Sequence, residues 1–192
     1  RPSSSIAGLE VKVLRPQDMP QQVALENFDL AITGRDWLAD HLYAFPSSPV
    51  AEAVDLGRSR YSLAAVVPED LPAEAIDGAL ALWRGREVRI ASEYVNTADH
   101  YARLRRIPRY RVIPIHGASE GFVPDDADIL IEGSETGTTL RANALKSIDN
   151  FFVSTSCVIR STNPISGPRA RLIDDIVARL ARGAVAEAPR SR

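Results

Sequence analysis

The stretch Asp128-Ile129-Leu130-Ile131-Glu132-Gly133-Ser134-Glu135-Thr136-Gly137-Thr138-Thr139-Leu140 decides the fold class. A short apolar run between two carboxylates reads as a buried strand. It passes into a loop of two glycines and four hydroxyl residues, and a helical segment, Leu140 to Lys146, follows. Strand, glycine-rich loop and helix in that order predict an α/β fold with a mostly parallel sheet, in which ligands sit beyond the C-terminal ends of strands.

The same alternation continues on both sides. Strands are predicted at Leu9 to Leu14, Phe28 to Ile32, Tyr61 to Val67, Val88 to Ser92, Tyr110 to Ile115 and Phe151 to Ile159. Helices are predicted at Met19 to Asn27, Arg35 to Leu42, Glu74 to Leu82, Thr97 to Arg106 and Pro168 to Arg182. Three loops then follow strand ends: Thr33 to Asp36, Glu93 to Asn96, and Glu132 to Leu140. The acidic, Ala-rich connection from Pro68 to Gly85 separates two groups of strands. Two lobes are therefore expected, residues 1–67 with 152–192 as lobe I and 68–151 as lobe II, with the ligand cleft between them.

Composition bounds the function. The chain has 192 residues, 45% apolar and 25% charged, with net charge −2. That suits a globular domain and argues against a dedicated nucleic-acid binder. No run approaches the ~18 apolar residues of a membrane span, and the N-terminus has no signal-peptide core, so a cytoplasmic protein without membrane or nucleic-acid partners is expected. Of 23 basic residues only Lys12 and Lys146 are lysine; codon bias and anion recognition by guanidinium forks both account for this. The single Cys157 lies in an apolar run and reads as a buried small hydrophobe. His41, His100 and His116 lack metal-ligand spacing, and no protein-held metal is expected.

The loop after the first-quoted strand carries the chemistry. Glycines let backbone N–H groups approach a phosphate, and hydroxyls and a helix N-terminus add donors. There is no Gly-Lys-Ser/Thr ending and no G-x-G-x-x-G. Asp128 and Glu132 lie roughly 13 Å apart at ~3.3 Å per residue, too far for a close acid/base pair. Glu132, beside the loop, suits ribose hydroxyls next to a bound phosphate; a plain Ser/Thr/Gly turn remains the alternative.

Several segments in register resemble the ATP phosphoribosyltransferase family. They are Arg15 to Pro20, Asp29-Leu30-Ala31-Ile32-Thr33-Gly34-Arg35-Asp36, Val54 to Arg58 leading to Val66 to Asp70, Arg89 to Asn96, and Glu132 to Leu145. The resemblance implies a two-lobe fold like the type II periplasmic binding proteins. It also implies displacement of pyrophosphate from phosphoribosyl pyrophosphate by N1 of ATP, the first step of histidine biosynthesis, with Mg²⁺ on the polyphosphates. By position, Glu132 would be the catalytic carboxylate on the ribose hydroxyls. Glu132, Gly133, Ser134, Glu135, Thr136, Gly137, Thr138, Thr139 and Leu140 would bind phosphoribosyl pyrophosphate, and Thr33, Gly34 and Tyr94 would lie near ATP. The pattern resembles the short form, which implies a homo-oligomer and a histidyl-tRNA-synthetase-like regulatory subunit. Lobe I is expected to be incomplete at its N-terminus, since the family's opening strand and Lys-Gly-Arg turn have no counterpart before Leu9. Asp99 stands where the family often has Arg. A noncatalytic two-lobe binding or regulatory protein of the same fold is the alternative. Five arginines between Arg103 and Arg111 suit a solvated face, a phosphate or subunit contact, or nucleic acid.

Overall fold

The computed structural model describes residues 2–117, 119–134 and 138–186. Its six strands are β1 (Leu30–Gly34), β2 (Val50–Pro68), β3 (Val88–Ser92), β4 (Tyr110–Pro114), β5 (Ile129–Ser134) and β6 (Leu145–Ser161). The helices are α1 (Met19–Ala24), α2 (Arg35–Ala44), α3 (Ile76–Leu82), α4 (Val95–Leu104), α5 (Thr138–Ala142) and α6 (Gly167–Ala186).

All six strands form one sheet in the order β1-β6-β2-β5-β3-β4. Only β3–β4 and β3–β5 are parallel, whereas β1–β6, β2–β6 and β2–β5 are antiparallel. The expected mostly parallel sheet is thus corrected to a mixed one. The reason is the central ribbon: β2 and β6 are long enough to run through both lobes, and they pair antiparallel along their length. Parallel βαβ geometry survives only in lobe II.

The end of β2 packs with the lobe II strands, although the division expected from sequence placed it in lobe I, and this packing explains the apolar runs. Along β2, Ala65 and Val67 face a core shared with Ile129, Ile131, Ile90 and Tyr101, under α3 and α4. Ala64 and Val66 face the opposite core with Leu130, Leu140 and Leu145. A strand covered on both faces has no polar alternation to show. Lobe I has a smaller core of Val23, Leu38, Val50, Cys157 and Ile159. The predicted strand Leu9 to Leu14 does not form, because alternation supplies an amphipathic face but not the neighbour that must complete the ladder. Leu9 and Leu14 are half-buried, while Val13 stays 78% exposed.

The strand directions aim both lobes at one place. β1 and β2 run one way and the other four strands run against them. Consequently the C-terminal end of β1 and the C-terminal ends of β3 and β5 point toward each other over the middle of the ribbon. There Gly34 lies beside Ser156, Arg58 beside Ser156, Tyr61 beside Ser154, and Ser134 beside Ser62. The β2 register shifts between Asp55 and Arg58 and again between Arg58 and Tyr61, with Gly57 and Ser59 at positive φ. Such bulges bend a ribbon and loosen its pairing.

Candidate active site

Thr33 to Asp36, Tyr94 and the Glu132–Gly133 start of the third predicted loop meet at this midpoint. Thr33 and Gly34 end β1, and α2 begins directly after them. Asp36, in the first turn, is fully buried. Its backbone N–H donates to Ser154 Oγ at 3.2 Å, and the Ser154 hydroxyl donates back to Asp36 Oδ1. The carboxylate folds over Gly34, where an added Cβ would stand 2.0 Å from Oδ1. Glycine is therefore required by the close approach, not by an unusual φ. Thr33 is also buried, and its hydroxyl donates to the Pro16 carbonyl at 2.9 Å. That bond fastens the 3₁₀ turn Pro16–Asp18 to the end of β1.

From lobe II, Tyr94 precedes α4 and is buried. Its ring stacks on Trp37 of α2 with centroids 4.2 Å apart, and its hydroxyl lies 3.2 Å from that of Tyr61. Tyr61 in turn packs against the Gly133 backbone: a Cβ on Gly133 would meet its ring at 2.7 Å. Burial raises both phenols far above the usual tyrosine range, and the Asp36 carboxylate raises them further. Both hydroxyls therefore stay protonated and able to donate.

A second seam lies beside the first. Asp40 of α2 accepts from the Thr97 backbone N–H at 2.8 Å and from Asn96 Nδ2 at 2.9 Å, both on α4. Tyr43 stacks on His100 at 3.9 Å. The two buried side-chain oxygens without a partner among the described residues, Asp36 Oδ2 and Thr97 Oγ1, lie at the facing starts of α2 and α4. Buried polar groups are rarely left unpaired except where function or motion requires it.

Glu132 sits at the end of β5 with Oε1 accepting from the Gly133 N–H at 3.0 Å. Burial holds its carboxyl above the ordinary glutamate range, and the nearby Glu120 and Glu93 charges add to this against the bonds from Ser119 and Gly133. Asp128, at the other end of the strand, is structural. Burial alone would raise its pKa, yet bonds from Arg86 and Arg89, at 2.9 and 3.1 Å, bring it below the usual carboxylate range. The 13 Å separation expected from sequence becomes a division of labour between the two ends of β5.

Of the predicted phosphate loop, Glu135, Thr136 and Gly137 lie outside the described residues. Thr138 and Thr139 are exposed in the first turn of α5. Leu140 is buried in the lobe II core with Leu130 and Leu145, so its side chain anchors the loop and does not face a ligand. The expected helix Leu140 to Lys146 is instead the five-residue α5, too short for a substantial macrodipole. Asp99 is occupied by Arg103 at 2.8 Å and by the Tyr110 hydroxyl at 2.7 Å.

Sequence reasoning did not single out Asp36, Tyr61, Ser154 or Asp40. Asp36 was visible as the acid closing Thr33-Gly34-Arg35-Asp36. Tyr61 and Ser154 come from distant strands, and only the ribbon register pairs them.

Known proteins agree with this arrangement. The ATP phosphoribosyltransferase family model matches residues 15–182. An ATP phosphoribosyltransferase from Saccharolobus solfataricus is 32% identical over 187 residues, 95% of this chain and 60% of that protein. The chain thus spans 60% of the length of this relative. Among solved structures, an ATP phosphoribosyl transferase (HisG:HisZ) complex from Thermotoga maritima aligns with a TM-score of 0.71 at 19% identity, over 88% of this chain and 78% of that one. The alkanesulfonate-binding protein SsuA from Xanthomonas axonopodis pv. citri shares the two-lobe architecture at a TM-score of 0.56 and 12% identity, over 88% of this chain and 59% of its own. With the family's motif segments gathered at one cleft of a two-lobe α/β fold, the chain belongs to the ATP phosphoribosyltransferase family.

Proposed function

We propose that this chain transfers the phosphoribosyl group of phosphoribosyl pyrophosphate to N1 of ATP, giving phosphoribosyl-ATP and pyrophosphate, as the first step of histidine biosynthesis. The observation that carries this is the meeting of Glu132 and Gly133 with the Gly34–Asp36 turn and Tyr94 over the ribbon midpoint, in a chain of this family. The C1–O bond to pyrophosphate breaks as the C1–N1 bond forms. Positive charge develops on the ribose and negative charge on the leaving group. Glu132 holds ribose hydroxyls and stands near the positive centre, while loop amides and the Thr138 and Thr139 hydroxyls fix the 5-phosphate. Thr33 and Gly34, with Tyr94, form the ATP side. Thr33 contributes through its backbone there, since its hydroxyl is bound to Pro16. No covalent intermediate is needed.

Mg²⁺ arrives on the substrate polyphosphates. Among the described residues no three His, Cys, Asp or Glu side chains are grouped to hold a metal by themselves. The reading also includes a homo-oligomer working with a regulatory subunit in the cytoplasm. The complex named for the Thermotoga structure supports the former, and no helix among the described residues is long and apolar enough to cross a membrane. The test is phosphoribosyl-ATP formation from ATP, phosphoribosyl pyrophosphate and Mg²⁺, with and without a candidate regulatory subunit. Product in either arm is expected; none in both would overturn the assignment.

A further inference from the structure

We propose a second nucleotide site, remote from the cleft, in the groove between the α3–β3 turn and the α4–β4 turn. It takes a nucleoside phosphate, with the phosphates on Arg84, Arg106 and Arg109 and the base over the apolar floor. The groove has a volume near 360 Å³, within the range of small-ligand sites. Leu80, Trp83, Val88 and Pro108 form its floor, and Arg84, Arg86, Arg106 and Arg109 stand around it, with Asp77 as the one lining carboxylate.

The arginine run explains which cations are free to bind. Arg103 is bound to Asp99 at 2.8 Å, Arg105 to Asp149 at 2.7 and 2.9 Å, and Arg111 to Glu87 at 3.6 Å. Arg86 is bound to Asp128 and lies 5.4 Å over the Trp83 ring. Arg84, Arg106 and Arg109 have no side-chain hydrogen bond or ion pair among the described residues. These three unneutralised guanidiniums are the ones gathered at the groove, and planar guanidinium forks suit phosphate oxygens.

Compensation of helix ends accounts for some of this charge, because α3 and α4 both terminate here. The Ile107 N–H donates to the Ala102 carbonyl at 2.9 Å and the Arg106 N–H to the Arg103 carbonyl at 3.0 Å. This is a Schellman cap with Arg106 at its left-handed position, φ 53. Glycine fits that position without strain and arginine does not. Arg103 and Arg105 already supply positive charge at this helix end, and Glu26 closes α1 with the same pair of bonds at φ 59, so what marks Arg106 is its unpaired guanidinium at the groove and not its backbone.

The groove lies at the N-terminal ends of β3 and β4. The ten residues of α4, about 15 Å at 1.5 Å per residue, separate it from Tyr94. It is therefore independent of the substrate reading of the cleft.

The chain has two tryptophans, Trp37 at the cleft and Trp83 on the groove floor. In a Trp37→Phe background, titration with ADP is expected to change Trp83 emission saturably. Reversing two charges, Arg106→Glu with Arg109→Glu, should weaken that response at least 100-fold, about tenfold per lost guanidinium. Emission unchanged by ADP, or a response that survives the reversal, overturns the proposal. Arg106→Gly discriminates further: its Tm should hold or rise while ADP binding weakens about tenfold. A lower Tm with unchanged binding would show a structural arginine and overturn it as well. Phosphoribosyl-ATP formation, assayed separately on the same reversal variant, reports on the cleft, so failure of either site is read independently.

Discussion

At Glu132 and Gly133 the main chain and two side chains are tied to each other, so small changes should be legible in binding. Burial raises the Glu132 carboxyl, and two consequences have opposite signs. Folding favours the protonated form, so the residue's stability contribution is present at low pH and is lost as pH rises through the raised value. In the proposed role ribose binding needs the ionised acceptor, so affinity should fall on acidification, starting above the ordinary glutamate range. Glu132→Gln should bind phosphoribosyl pyrophosphate about tenfold more weakly at neutral pH and lose this limb of the profile, leaving only the ligand's own phosphate titration. Calorimetry across pH checks this, and an unchanged limb would remove Glu132 from the ribose. Gly133→Ala places a methyl within 2.7 Å of the Tyr61 ring. Tyr61 must then move away from Tyr94, and substrate affinity should drop about tenfold, roughly 1.4 kcal/mol, with the fold retained by circular dichroism. An unaltered affinity would mean that Tyr61 does not position the loop.

Among the elements, α2 and α4 show how one lobe completes the other. Tyr94, the residue before α4, makes no side-chain cap, and Asp40 of α2 supplies the missing acceptor to the Thr97 N–H from across the seam. A carboxylate at a helix N-terminus also favours the dipole. Asp40→Ala should cost about 1–2 kcal/mol and speed hydrogen exchange at Thr97. A loss under about 0.3 kcal/mol, small beside any cap, would show that water replaces the cap freely. No periodicity discloses such a cap, since its two halves lie 57 positions apart. The long strands show a related limit. Tyr61 to Val67 was readable because both faces are buried, but Asp55 to Arg60, exposed save for Leu56, offers no apolar face to read where β2 crosses between lobes. In β6, Leu145 and Ile148 are buried three positions apart among polar residues, a spacing that does not read as a strand. Val88 to Ser92, confined to one lobe, was legible to the residue, and Tyr110 to Ile115 to within one. The loops of the site were legible because glycine, threonine and acid cluster at strand ends. What brings them together was not, because it depends on the antiparallel ribbon.

For the whole molecule, the unequal lobes raise the question of whether they unfold together. Among the described residues the buried apolar cluster of lobe I has five members, including Cys157, whose thiol burial pushes up to about 12. Lobe II has two larger clusters. A core as small as that of lobe I gives little independent stability, so lobe I should depend on the shared ribbon and on the α2–α4 seam. The two tryptophans report the two lobes separately, Trp37 from α2 and Trp83 from the end of α3. In urea, the Trp83→Phe and Trp37→Phe variants should therefore give coincident emission midpoints, as one cooperative unit requires. Adding Asp40→Ala to each should separate them, with the Trp37 midpoint falling below that of Trp83, because the seam is cut while the lobe II core is intact. Separate midpoints in the parent variants would make the lobes independent folding units. Coincidence that persists after Asp40→Ala would assign their coupling to β2 and β6 alone.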